Sequence, residues 1–280
     1  MVLGGGSIPL PRTNNKKLRH MNNIIKQFDS VASFAAYLSK AETSKTFQGA
    51  ELTSQKVTKG WSELTFEEAT NLLRFGDNEN AAKISMEINR VSRMSGSGTR
   101  VRQQIFNDVV GHAVNVPNYL SGSPMAMINS RRVAIRNSKV LNIIYNSTFA
   151  CGVRPQEVVE VGVKVLTYIK NLESSGYRVN LYVMKCAKSS KEKLSAIIRI
   201  KDSEQYLNIT KTAYPMINPE FSRKHFFRMT ECEVTDPFFI GTYGYVVHEQ
   251  REVQDILDNL KFKVDKYLTF YEVQRNGIER

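Results

Sequence analysis

A chain of 280 residues with 41% hydrophobic residues can bury a substantial core, since chains near this size hide roughly three quarters of their extended surface. Its 39 basic and 27 acidic residues leave a net charge of +12, a balance that draws polyanions, nucleic acid first among them, and leaves the fold open. Cys151, Cys186 and Cys232 are far apart with no Cys-x-x-Cys pair, which argues against a disulfide framework or a cysteine zinc site and for a reducing cytoplasm; no run reaches the ~20 apolar residues of a spanning helix, so no membrane partner is expected.

Residues 1–20 contain Arg12, Lys16, Lys17 and Arg19 without an acid and read as a disordered basic leader whose apolar patches are too short for a secretory signal. Phe28 to Ala41 spaces Phe28, Val31, Phe34, Ala35 and Leu38 along one helix face, with Asp29 or Ser30 to cap it. That aromatic stripe suits packing on the main domain; the alternative is a docking face for a partner. Thr65 and Glu68 have the spacing of a capping box, and the helix they open ends at Gly76. Trp61 precedes it as a packing anchor, with ligand stacking as the alternative.

Ala81 to Arg93 gives a third helix, followed by Ser95-Gly96-Ser97-Gly98. Arg90, Arg93, Arg100 and Arg102 therefore surround an adaptable loop. Arginines in such a loop neutralise backbone phosphates without reading bases, and their binding falls steeply with salt. Solvated surface charge is the competing reading. Val110 to Met125 mixes turn formers with apolar residues and is expected as an ordered connector lying over the core. A strand from Arg131 to Ile135 is expected to pair with the central strand.

Lys139 to Ala187 reads as one strand–helix–strand unit. Val140 to Asn146 is a short apolar strand that stops at Asn146, Ser147 and Thr148, residues that favour caps and turns. Pro155 opens a helix with Val158, Val161, Val165, Leu166 and Ile169 at helical spacing, and Gly176 ends it. Tyr177 to Met184 returns as a strand with Val179, Leu181 and Val183 on one face, and Leu194 to Ile200 forms its hairpin partner. Loops outside the carboxyl ends of such strands form binding crevices, which makes Asn146, Ser147 and Thr148 the expected binding site.

Downstream, helices are expected over Glu204 to Tyr214 and Asn218 to Met229, separated by prolines. The second carries Arg223, Lys224, His225 and Arg228 among phenylalanines; this pattern favours core packing over a single-strand-binding face. A strand over Tyr243 to Val247, a helix over Arg251 to Leu260 and a last strand over Tyr267 to Val273 complete the alternation. No nucleophile, base and orienting acid can be assembled, and there is no phosphate-cradling Gly-x-x-x-x-Gly-Lys-Ser/Thr loop, so no enzyme activity and no cofactor are expected.

Gly60-Trp61, the Glu67-Glu68-Ala69 helix, Val114-x-Val116-Pro117-x-Tyr119-Leu120-x-Gly122-x-Pro124, and Leu172-Glu173-x-x-Gly176-Tyr177-x-Val179 resemble a family of uncharacterised tailed-bacteriophage proteins over roughly Phe28 to Glu231. That resemblance implies a viral origin, with a phage or host protein as partner and the host bacterial cytoplasm or the virion as location; it transfers no catalytic residue. The order strand, helix, strand, hairpin strand is also similar to the opening of von Willebrand factor A domains. Those domains hold Mg²⁺ on an Asp-x-Ser-x-Ser strand end, where this chain has Asn146, Thr148 and Ala150, a poor ligand set for a hard cation. The expected fold is thus α/β, a layered mixed sheet resembling a degenerate von Willebrand A domain. The expected divisions are a leader (1–20), a helical region with its connector (21–131) and the α/β core (132–280). The expected function is protein interaction or assembly, with sequence-tolerant nucleic-acid binding as the alternative.

Overall fold

The computed structural model describes residues 21–94, 101–134 and 139–278. From the amino end come β1 (Asn22–Phe28), α1 (Val31–Lys40), α2 (Phe66–Phe75) and α3 (Asn78–Met94). Next are β2 (Val101–Asp108), β3 (Ala113–Val114), α4 (Val116–Leu120) and β4 (Met127–Ala134). Then follow β5 (Val140–Asn146), α5 (Pro155–Ser174), β6 (Arg178–Lys188), β7 (Glu192–Lys201) and α6 (Ile209–Ile217). A π-helical turn (Phe221–Phe226) leads into α7 (Phe227–Glu233), β8 (Tyr245–Val246), α8 (Gln250–Asp258), β9 (Lys266–Thr269) and α9 (Phe270–Asn276).

The central sheet has the order β1-β7-β6-β5-β9, with β8 pairing the end of β6. β5 runs parallel to β6 and β9, β7 runs antiparallel to β6, and β1 runs parallel to β7. Because successive strand side chains alternate between faces, β6 sends Leu181 and Val183 into one core and Tyr182, Met184 and Cys186 into another. The larger core packs α1, α2, α3, α5 and α6 on one face through residues such as Phe34, Leu73, Ile88, Leu166 and Tyr214. The smaller one packs α8 on the other face through Val253, Ile256 and Leu257. The result is a layered α/β protein with a mixed parallel and antiparallel sheet.

Local chemistry sets several boundaries. Ser30 caps α1 and Thr65 caps α2, each in a capping box, and α2 stops at Gly76 with φ 95°, a backbone conformation that glycine adopts without the steric penalty of a Cβ. Midway along α5, Gly162 allows close contact with α6; a Cβ there would stand 2.5 Å from Ile217 Cγ2 and 2.7 Å from the Met216 carbonyl oxygen.

Four expectations are corrected. Residues 22–28 form an edge strand of the central sheet, and α1, α2 and α3 share the core of β5, β6 and β7, so the division at residue 131 separates segments that pack together and falls within β4. The strand at Arg131 pairs with β2 and β3 rather than with β5. The helix expected from Glu204 starts at Ile209, where Asn208 accepts a hydrogen bond from the Lys211 amide, and it runs through Pro215 to Ile217. The final strand ends at Thr269, whose hydroxyl accepts from the Glu272 amide and turns the chain into α9.

Candidate functional site

Asn146, Ser147 and Thr148 end β5 as expected, but all are buried. Asn146 Oδ1 accepts from the Thr148 amide at 3.0 Å, closing a tight turn. Its Nδ2 donates to the Val247 carbonyl at 2.9 Å and to the Tyr267 hydroxyl at 2.8 Å. Thr148 Oγ1 accepts from the Cys186 amide at 2.9 Å. These groups bind the strand end to β6, β9 and the segment after β8, and the burial of all three side chains keeps them from a docking partner. Their oxygens belong to internal hydrogen bonds, except Ser147 Oγ, which has no partner.

Beneath this turn lies Lys185, a buried lysine on β6 whose Nζ donates to the Ser147 carbonyl and stands 4.5 Å from the centre of the Phe149 ring. Burial holds its ammonium well below the usual lysine range, because desolvation disfavours the charged form. On the neighbouring residue, burial pushes the Cys186 thiol up to about 12. Both groups sit inside the protein, so neither offers an accessible nucleophile. Among the described residues, no group of three or more His, Cys, Asp or Glu is placed to hold a metal ion.

The basic residues around the π-helical turn are packing and pinning groups. Arg223 donates to the Trp61 carbonyl and lies 4.6 Å from the Trp61 ring centre, while Phe227 stacks against the same ring at 6.1 Å. Trp61 is therefore the expected anchor, with neighbours on its ring. Lys224 donates to the Lys56 carbonyl, and Arg228 donates to Thr43 Oγ1 and the Ala41 carbonyl, both at 2.9 Å. Buried carboxylates hold the same segment. Glu231 accepts from Ser54 N, Ser54 Oγ and Tyr243 Oη, and Glu220 accepts from Ser62 Oγ and the Glu63 amide. Residues 41–63, which lack long helices, are thereby fastened to the core by side chains; an otherwise unpaired buried charge would be costly.

This fastening leaves a cleft of about 600 Å³ between the segment after Gly60, the opening turn of α3 and the start of α5. Leu64, Leu72 and Pro155 supply apolar walls. Glu63 and Glu79 supply exposed carboxylates, while Asp77, Glu220 and Arg223 line it as buried groups. The cleft is thus locally acidic within a chain of net charge +12. Phe75, exposed at the end of α2, stands next in sequence to Gly76 in the cleft wall.

The other exposed feature is an arm built from β2, β4 and β3, paired in that order, with α4 between β3 and β4. Asn115 caps α4 by accepting from the Asn118 amide. Instead of lying over the core, the connector exposes Val110 at 73%, Tyr119 at 68% and Leu120 at 78%, with Val116 and Met125 also exposed, as is Ile105 on β2. Among the described residues, neither core cluster includes an apolar side chain of the arm. Sequence reasoning missed this surface because its apolar residues have no helix or strand period; the available signal was that absence of periodicity across a long connector.

Three of the four arginines proposed for phosphate contact lie on described elements, two on α3 and one on β2. Arg90 is exposed on α3 and pairs with Glu87 at i,i+3. Arg93 follows within α3, and Arg102 lies opposite Val133 in the β2–β4 register. Arg100, like residues 1–20, lies outside the described residues. On β4, Arg131 is exposed, donates to Gln104 Oε1 at 3.2 Å and lies 5.4 Å from the Phe106 ring centre.

The sheet and its helices define the class of a mixed α/β protein, and among the described residues no helix is long and apolar enough to cross a membrane. The chain belongs to the family described as Domain of unknown function (DUF7192), whose model matches residues 11–275. No curated protein and no solved structure matches the chain significantly.

Proposed function

We propose that this chain is a binding protein rather than an enzyme, an interaction or assembly module whose contact surface is the β2–β4 arm. The observation that carries this reading is the group of large apolar side chains exposed there, including Val110, Tyr119 and Leu120. Large apolar side chains left exposed in this way forgo the free energy of burial, which a partner docked over them would recover. In this reading, Asn146, Ser147 and Thr148 hold the carboxyl end of the interior strand β5 in place from inside. A phage or host protein as partner, a viral origin and a place in the host cytoplasm or virion belong to the same proposal. So does a von Willebrand A-like core, which the strand order β7-β6-β5-β9 with β7 antiparallel supports.

Nucleic-acid binding is the second reading, favoured by exposed Arg131 and by the placement of Arg102 and Arg132 in the paired strands. Burial of Lys185, Lys193, Lys201, Arg223 and Lys224 reduces the share of the positive charge that a polyanion can reach. A photoreactive phenylalanine at position 119, tested in cells that naturally make the protein, distinguishes the readings. Discrete protein adducts at 119, with none from the same group at Met86 on α3, are expected. Nucleic-acid adducts would put the second reading first, and absence of adducts would remove the arm as a contact surface.

A further inference from the structure

We infer that the arm of one copy docks into the acidic cleft of a second copy, so that the protein self-associates head to tail. This inference rests on the arm being the contact surface and names its partner. The surfaces match in two respects. The arm presents Val110, Tyr119 and Leu120, and the cleft offers the apolar Leu64, Leu72 and Pro155. Residues 101–134 contain Arg102, Arg131 and Arg132 against the single acid Asp108, whereas the exposed charges of the cleft wall are the carboxylates of Glu63 and Glu79, with Asp77, Glu220 and Arg223 buried. Charge of opposite sign around an apolar contact orients partners and speeds their encounter.

The placement of the surfaces in the chain favours a contact between copies. Glu79 lies in the opening turn of α3, and the arm begins beyond its last residue, Met94. Each copy therefore carries a donor surface and a different acceptor surface, the condition for heterologous association, which closes into a ring or grows as a filament. A two-fold pair in which each arm enters the other copy's cleft would use both surfaces too, but it would stop at a dimer instead of growing.

Sedimentation velocity of the purified full chain across micromolar concentrations tests this. The wild type is expected to grow with concentration, with association at least about tenfold weaker at high salt, as charge screening requires. Tyr119→Ser with Leu120→Ser should remove the donor, and Glu63→Lys with Glu79→Lys should remove the acceptor. Thermal melts establish that both variants fold. Each variant alone should remain monomeric, while an equimolar mixture should form a heterodimer and stop, since it retains one intact donor and one intact acceptor. A wild type that stays monomeric overturns the inference, as does a cleft variant that associates like the wild type. If position 119 still captures a different protein, the interaction reading stands without self-association; if it captures nothing, both fall.

Discussion

The central sheet and the arm are both β structures accompanied by helices, yet the chain treats their faces differently. Along β6, alternate residues enter cores on opposite sides, one beneath α5 and α6 and the other beneath α8. In the arm, Ile105 on β2 and Tyr119 and Leu120 on α4 remain exposed. The comparison shows that apolar residues become core only when topology supplies a second layer. The central sheet obtains its layers within the chain; in our proposal, the arm obtains one from another copy.

The first way to test that contrast is through the buried polar groups that tie residues 41–63 to the core. Glu231→Ala leaves Ser54 and Tyr243 without their acceptor and Arg228 without the carboxylate 3.7 Å away. Chemical denaturation should register a loss of about 3 kcal/mol or more, because buried partners remain uncompensated. Gly162→Ala addresses helix packing in the same layer. Its new methyl would meet Ile217 and the Met216 backbone, and overpacking of this kind costs about 1–3 kcal/mol, read as a lower denaturation midpoint.

Acid provides a smaller and graded perturbation. Buried His225 has its Nδ1 3.2 Å from Tyr214 Oη and its Nε2 3.4 Å from Thr70 Oγ1, and desolvation followed by the Lys224 charge lowers its pKa to about 3. An unfolded histidine titrates near ~6.5. Between these values, the unfolded chain binds a proton that the folded one does not, so this contribution to stability is present above ~6.5 and is lost progressively as pH falls toward the folded pKa. His225→Phe, placed among Phe34, Phe66 and Phe221, should flatten the stability profile over that window in denaturation measured as a function of pH.

The smallest expected effect on stability belongs to the arm. Leu120→Ser removes an exposed side chain that lies outside both core clusters, and the denaturation free energy should stay within about 0.5 kcal/mol of wild type, as for surface substitutions in general. A loss comparable to that of Glu231→Ala would show that the arm is structural and would break the comparison. Stability unchanged with association weakened would sharpen it.

How much of this was legible depended on the range of the interactions involved. Thr65 and Glu68 encode the start of α2 within four residues, and Gly76 encodes its end, so both could be read directly. The apolar spacing from Val158 to Ile169 likewise marked α5, and the alternation of Val179, Leu181 and Val183 marked β6. Thr269 and Glu272 carried the same local capping signal at the start of α9, but the neighbouring apolar run read as a continuing strand. By contrast, β1 is an edge strand whose formation depends on β7, more than 160 positions away, and no local pattern in Asn22–Phe28 specifies that partner.

The sequence by itself determined the alternation of strands and helices, the capped helix starts and the strand end at Asn146, because caps and periodicity act over one or two turns. Tertiary structure decided which polar residues were buried and which apolar residues stayed at the surface. It buried Asn146, Ser147 and Thr148, drew Arg223 and Lys224 inward as pins, and left Tyr119 and Leu120 outside. The physical reason is that burial depends on which layers meet, and these layers bring together residues from distant parts of the chain.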